Sequence, residues 1–569
     1  MAKFSRFFFI SIYILSLLLS NTLFAQVNTV EFGRNRVQHK QFKWKYYETK
    51  HFNTYFNQDG QELAKFVAQA AEEDLADIEH FTERTLRGRV NIIVYSQFAD
   101  LQQSNIGIGI GWQNTGGVTK LVNDKMVVYF DGDHANLRQQ IREGIAGILI
   151  QKVSFGNDGE SSDRAMPEWL LDGYIAYAAQ NWSTALDDEL RNEIASEKYK
   201  TFYRFAYYKP LLAGHSFWYY IEERYKKENV AYFFYLAKIS SNLNNACRII
   251  CKKSFKEVLA DFMVYEQEKY DKDTERRLQI PQGNYIETFE LGPRKDYYRI
   301  NVNPNKQNNS YAVIQYKKGI VRLKLFEDDN ETTLLKYGIR NYQNETNPSY
   351  PIMAWDPKGT RLTVIYTEEG KLKLFVFDVE TRLEYPKLDL TNEFTQIQDV
   401  KYMLDSRTLL FSAVKNGHTD IFTLGLENQK IQQITDDVYD DLDATFCSFP
   451  NKTVIIFSSN RPSAEAKSGD TTLPSKNRYN IFFVTNFGSK PAVNQITQLS
   501  DIKHGNARFP TPYNNNHFTF ISDANGIANR YAGFFTTKKT GTDTVTIIGD
   551  TVLRHVNTTI VDSLVKLYK

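Results

Sequence analysis

The sequence predicts two regions of different fold class, an α+β region over residues 26–275 and an all-β propeller over residues 292–550. Three observations predict this. In the first half, apolar residues recur at helical spacing between short β-branched runs. From Arg299 onward the texture changes to alternating strands and turns. The turn-and-strand unit then repeats about every 50 residues, the period of propeller blades.

The α+β region opens with Phe52-Asn53-Thr54-Tyr55-Phe56, which alternates as a strand does. Residues 61–86 place Leu63, Phe66, Val67, Ala70, Leu75 and Ile78 near helical spacing. Residues 90–95 (VNIIVY) and 125–130 (KMVVYF) are short, β-branched and aromatic, as buried strands are. Helices follow over residues 137–150, 168–180, 187–195, 215–225, 230–239 and 255–270. The glycines of Gly107-Ile108-Gly109-Ile110-Gly111-Trp112 alternate with isoleucine and lack the spacing of a nucleotide loop, so this stretch is a glycine-rich edge or loop.

In the repeat region, the turns Trp355-Asp356-Pro357-Lys358-Gly359, Leu404-Asp405-Ser406-Arg407 and Phe449-Pro450-Asn451-Lys452 each lead into an alternating strand. Pro512-Tyr513-Asn514-Asn515 does the same, Asn303-Pro304-Asn305 starts a weaker first copy, and Pro462–Lys476 is a polar insert. Second strands run through Asp420-Ile421-Phe422-Thr423 and Asn480–Val484, and Asn525-Gly526 is a strong hairpin signal. On Trp355–Gly359 and Ser522-Asp523-Ala524-Asn525-Gly526 these copies resemble the blades of TolB-like (WD40-like) propellers. Five copies are recognisable, and the tail 551–569 makes no recognisable sixth.

The stretch LRQQIREGIAGILI (137–150) has the place of a zinc-peptidase helix but not its ligands. Such a helix carries His-Glu-x-x-His, two imidazoles on one face beside a general base. Farther on stands Pro167-Glu168-Trp169-Leu170-Leu171-Asp172-Gly173. On these two stretches the region resembles the peptidase MA-like (gluzincin) family, whose second motif supplies the third zinc ligand. The resemblance puts Arg142 and Ala146 at the two histidine positions, Glu143 at the general base and Asp172 at the third ligand. Arginine has no lone pair to offer and alanine has no donor, whereas catalytic zinc needs three protein ligands. Neither a metal nor a cofactor is therefore expected. Without metal, water beside Glu143 keeps the pKa of bulk water, far above neutrality, and no useful nucleophile forms. Neither His134 nor His215 has the spacing to rescue the site. The expectation is a direct Arg142–Asp172 ion pair in the zinc's place.

The remaining features bound the function. Lys3 and Arg6 precede the apolar run Phe7–Leu19, and Leu23-Phe24-Ala25 offers a cleavage site, the layout of a secretory signal over residues 1–25. That run is shorter than the roughly 20 residues of a membrane span. The expectation is an exported protein, periplasmic or outer-membrane-associated in a Gram-negative bacterium, with no integral span after cleavage. Basic and acidic residues number 69 and 67 and are interspersed, which argues against nucleic acid as a partner. Cys247, Cys251 and Cys447 cannot form a disulfide framework. A carbohydrate-active propeller would expose clustered Trp and carboxylates, yet the propeller's tryptophan, Trp355, lies in a turn. The reading is a non-catalytic envelope scaffold that binds envelope proteins and has no small-molecule substrate. The alternative is a zinc-dependent or remodelled peptidase. The linker 276–291 (RRLQIPQGNYIETFEL) is where proteolysis is expected to release two folded pieces.

Overall fold

A computed structural model describes residues 38–104, 120–122, 125–154, 166–275, 295–338, 349–449, 452–464, 478–485, 496–514, 517–535, 546–548 and 551–553, with 347 and 466, and without 241, 306, 308 and 329. The signal-like segment, the 107–112 stretch and the 276–291 linker lie outside the described residues.

The first part is built on a five-stranded sheet of order β1-β2-β3-β5-β4, from Lys45–Glu48, Phe52–Phe56, Val90–Tyr95, Lys120–Val122 and Lys125–Tyr129. Strands β2, β3 and β5 are parallel, and both edge strands run antiparallel to them. The parallel pair β2–β3 needs a crossover, and helix α1 (Gln61–Thr82) supplies it. Its predicted stripe of Leu63, Phe66, Val67, Ala70, Leu75 and Ile78 is buried against the sheet. A short helix α2 (Phe98–Leu101) packs with Tyr95, Val127 and Tyr129 on the opposite sheet face.

Helices α3 (His134–Ser154), α4 (Glu168–Ala179), α5 (Thr184–Ala195), α6 (Phe202–Tyr208), α7 (Pro210–Tyr225), α8 (Glu228–Ser240), α9 (Leu243–Ile250) and α10 (Phe255–Glu275) complete this part. Helix α7 starts five residues before the expected His215, with Pro210 in its first turn where the missing N–H costs nothing. Helices α6 and α9 are short and carry no long apolar period, which is why the sequence pattern passes over them. Gly173 of α4 and Gly214 of α7 meet backbone to backbone, and a Cβ on either would overlap the other helix. The Trp218 indole N–H donates to the Leu170 carbonyl across this crossing, 2.8 Å away.

The second part is a run of antiparallel sheets in up-and-down order, the arrangement of propeller blades. The first sheet comprises β6–β9 (Lys295–Val302, Ser310–Lys317, Ile320–Glu327, Asn330–Tyr337). The second comprises β10–β14 (Ile352–Trp355, Arg361–Glu368, Lys371–Asp378, Leu383–Glu384, Leu388–Asp389). The third comprises β15–β19 (Gln396–Ile397, Lys401–Tyr402, Thr408–Lys415, His418–Gly425, Ile431–Gln433). The fourth comprises β20–β23 (Asp441–Phe449, Lys452–Ser459, Asn480–Val484, Ile496–Gln498), and the fifth β24–β26 (Ala507–Asn514, His517–Ser522, Asn529–Phe534). A final hairpin, β27–β28 (Thr546–Ile548, Thr551–Leu553), straddles the boundary expected at residue 550.

Among the described residues, four separate apolar cores lie between successive sheets. Leu323 and Leu325 meet Leu362 and Val364; Ile352 and Leu374 meet Phe411 and Phe422. Leu410 and Ile421 meet Ile455 and Phe457; Val454 and Ile456 meet Ala507 and Phe518. Each inner sheet thus buries both faces, which explains why these strands are apolar on both parities. The repeated turns tie neighbouring sheets together. Buried Asp356 accepts the N–H groups of Thr360 and Arg361 and the Ser406 hydroxyl of the next sheet, at 2.7, 2.8 and 2.6 Å. The Asn303 amide donates to the Gly359 carbonyl at 2.9 Å, linking first and second turns.

The two parts meet along a polar seam. Loops at the carboxyl ends of β3 and β5 press on the third, fourth and fifth sheets, through Gln396, Thr419, Asp440 and Arg508. Val414 of the third sheet joins the apolar core of the first part. These contacts tie the two parts together across the seam.

Candidate functional site

The four positions singled out from the sequence, Arg142, Glu143, Ala146 and Asp172, lie where α1, α3 and α4 converge. Arg142 does not pair with Asp172, contrary to expectation. Its Nη1 donates to Asp74 Oδ1 at 2.9 Å, its Nη2 to Asp77 Oδ2 at 2.6 Å, and its Nε to the Ala179 carbonyl at 2.7 Å. The physical reason is the supply of acceptors. Asp74 and Asp77 lie one turn apart on α1, and Ala179 closes α4, where the last carbonyls lack helical partners. A planar fork of five donors satisfies all three at once.

Asp74 is itself gripped twice, since Arg138 Nε and Nη2 reach its two oxygens at 2.7 and 2.9 Å. Arg138 also holds Glu73 at 3.0 Å. This network was missed from the sequence, although a signal existed. Ala70, Ala71, Asp74, Leu75 and Ile78 form one buried stripe, so Asp74 is an acid on an apolar face and requires a cation.

Glu143 is buried and accepts from the Gln139 amide at 3.2 Å, which also donates to the Gln180 side chain at 2.6 Å. Ala146 is fully buried in the core and contributes no donor atom. Asp172 is half-buried, and burial, with Glu168 one turn away, raises its carboxyl to about 6. Among the described residues no cation forms an ion pair with it. The four positions therefore share one region, but an arginine network, not Asp172, joins the helices.

The two histidines are held elsewhere. His134 opens α3 and its Nδ1 lies 2.7 Å from Asp440 of the second part. His215 is buried in the middle of α7 against the Trp182 ring, with Nε2 unpartnered. Burial lowers its pKa to about 4, partly offset by a hydrogen bond to the Gln180 main chain. Cys247 and Cys251 are buried free thiols.

A second charged cluster lies in the propeller. Asp420, Asp437 and Asp441 bring carboxylate oxygens within 4.8 Å of one another. Arg461, fully buried, occupies this group: Nη2 lies 3.0 Å from Asp437 and 2.8 Å from Asp441, and Nε donates to Ser459 Oγ at 3.0 Å. Burial and neighbouring Asp437 push the Asp420 carboxyl well above the usual range. The guanidinium supplies the positive charge here, as Arg142 does between the helices.

No protein-family pattern and no curated protein matches the sequence. Among solved structures the chain is similar to TolB from Acinetobacter baumannii, with 12% identity over 43% of this chain and 56% of that one, and a TM-score of 0.29. It is similar to a putative TolB from Agrobacterium tumefaciens, with 16% identity over 42% of this chain and 74% of that one, and a TM-score of 0.25. A third is the β-propeller domain of the Trilobed protease from Pyrococcus furiosus, with 10% identity over 42% and 81% of the two chains and a TM-score of 0.24. This chain thus spans little more than half of the Acinetobacter protein. The assignment of residues 295–534 to a propeller rests on their own sheets and cores.

Proposed function

We propose that residues 26–275 are a metallopeptidase-like domain without catalysis. Residues 292–550 are a TolB-like propeller joined to it by 276–291, and the whole serves as a protein-interaction scaffold. One observation carries the reading: the guanidinium of Arg142 stands at the first ligand position with its donors committed to Asp74, Asp77 and the Ala179 carbonyl. A cation at that place repels a divalent metal, and Ala146 provides no ligand. Asp172 alone makes one of the three ligands a catalytic zinc requires. The order strand, helix, strand, edge strand, strand and then α3 against α4 supports the gluzincin-like assignment.

The signal-like residues 1–25 support export, and with it envelope proteins as the partners. No helix among the described residues is long and apolar enough to cross a membrane. The test is elemental analysis of the purified chain together with turnover of an unfolded protein substrate. The expected outcome is no stoichiometric zinc and no hydrolysis. One tightly held zinc per chain with metal-dependent cleavage would establish the remodelled peptidase instead.

A further inference from the structure

The seam between the two parts has the composition of a ligand site, and its occupant is the chain itself. Propeller groups from three different sheets converge on the short turn Asp131-Gly132-Asp133-His134 and on the strand-end carbonyls of Ser96 and Phe130. From the third sheet, the Gln396 amide donates to the carbonyls of Ser96 and Phe130 at 2.8 and 2.7 Å, and the Thr419 hydroxyl to the Gly132 carbonyl at 2.8 Å. Beside the fourth sheet, Asp440 accepts the His134 main-chain N–H at 3.0 Å and meets its Nδ1 at 2.7 Å. From the fifth, Arg508 lies 3.7 Å from Asp133.

Four of these contacts address main-chain atoms, two of them in the turn itself, as grooves that read peptides do. The turn's own chemistry supplies the specificity. Gly132 has φ +96, and a Cβ there would overlap the Gln398 amide, so only glycine fits. His134 answers Asp440, and Asp133 answers Arg508. Gln396, Thr419 and Asp440 are almost fully buried under the turn. A seam this polar exposes to water, on opening, groups that water can solvate. That is the character of separable interfaces within a chain, although Val414 also joins the apolar core of the first part.

We propose that the propeller face bears a recognition site for an acidic glycine turn at a helix start, and that Asp131–His134 fills it as an intramolecular ligand. The tethered turn meets the site at an effective concentration on the order of millimolar or more, so even a weak site stays filled. A partner protein reaches this face only by presenting a similar turn in competition. The inference does not depend on whether the peptidase-like site is catalytic.

The test uses the full chain and a synthetic peptide of residues 128–138, followed by hydrogen exchange read by mass spectrometry. Gly132→Val changes no propeller residue, and its side chain, set against the Gln398 amide at a φ of +96, is expected to expel the turn. Exchange is expected to rise together at 130–142, 396–419 and 440, with the outer strands unchanged. Millimolar peptide is then expected to restore protection at 396–419 and 440 in the variant and to leave the wild-type chain unaltered. If Gly132→Val fails to fold, His134→Ala is read in its place, since it removes the imidazole from Asp440 and from the Phe66 and Phe130 rings. A folded, opened variant that the peptide does not protect would overturn the proposal. So would a wild-type chain that takes up the peptide at this face.

Discussion

Replacing Arg142 with alanine removes a guanidinium that joins α1, α3 and α4, and the cost can be built contact by contact. The bond to Asp77 reaches a carboxylate 68% exposed, and such pairs contribute about 0–1 kcal/mol. The charged N–H to the Ala179 carbonyl contributes about 1.5–3 kcal/mol. Asp74 is buried but keeps Arg138, so the full penalty of a stranded charge, about 3–5 kcal/mol, does not apply. The loss should come to about 2–4 kcal/mol. Urea unfolding followed by the fluorescence of Trp169, Trp182 and Trp218 reads this part of the chain. A double-mutant cycle of Arg142→Ala with Asp74→Ala should give a coupling of about 1 kcal/mol or more. Asp172→Ala should change stability by less than about 0.5 kcal/mol, because it breaks no ion pair. If Asp172→Ala costs as much as Arg142→Ala, or if Arg142 and Asp74 act additively, the network described here is wrong.

Three further outcomes are expected. Gly173→Ala forces a methyl into the Gly214 backbone and should destabilise by about 1–3 kcal/mol, lowering the urea midpoint; a neutral variant would contradict the close helix crossing. Burial raises Asp131, Asp399, Asp437 and Glu266 to about 7, from ordinary values of about 4 in the unfolded chain. Between those values the folded chain holds protons that the unfolded chain releases, so stability falls as pH rises from about 4 to about 7. Urea midpoints that climb steadily across that window would refute the shifts. Finally, a single cut within 276–291 should leave the pieces co-eluting on gel filtration, and Asp440→Asn should let them part; pieces that separate without the substitution would show the seam to be weak.

The sequence by itself determined what depends on local periodicity and turn chemistry. Helix α1 and strands β2, β3 and β5 follow from their spacing, because one face of each had to be buried. The blades follow from a repeated turn, in which Asp356 accepts the Thr360 and Arg361 N–H groups and Asp405 those of Arg407 and Thr408. That neither Arg142 nor Ala146 can donate to a metal was also legible, for neither side chain has a lone pair to offer in any fold. What only the tertiary structure decided is which groups far apart in sequence come to satisfy one another. Arg142 was expected beside Asp172, 30 positions on in the sequence. It instead meets Asp74 and Asp77, because α1 packs along α3 and offers two acids one turn apart. Asp440 lies 306 residues from His134, and no pattern in either stretch announces that one caps the helix the other begins. Hydrogen bonds and ion pairs act over a few ångströms, so such partners exist only once the sheets and helices have set the distances.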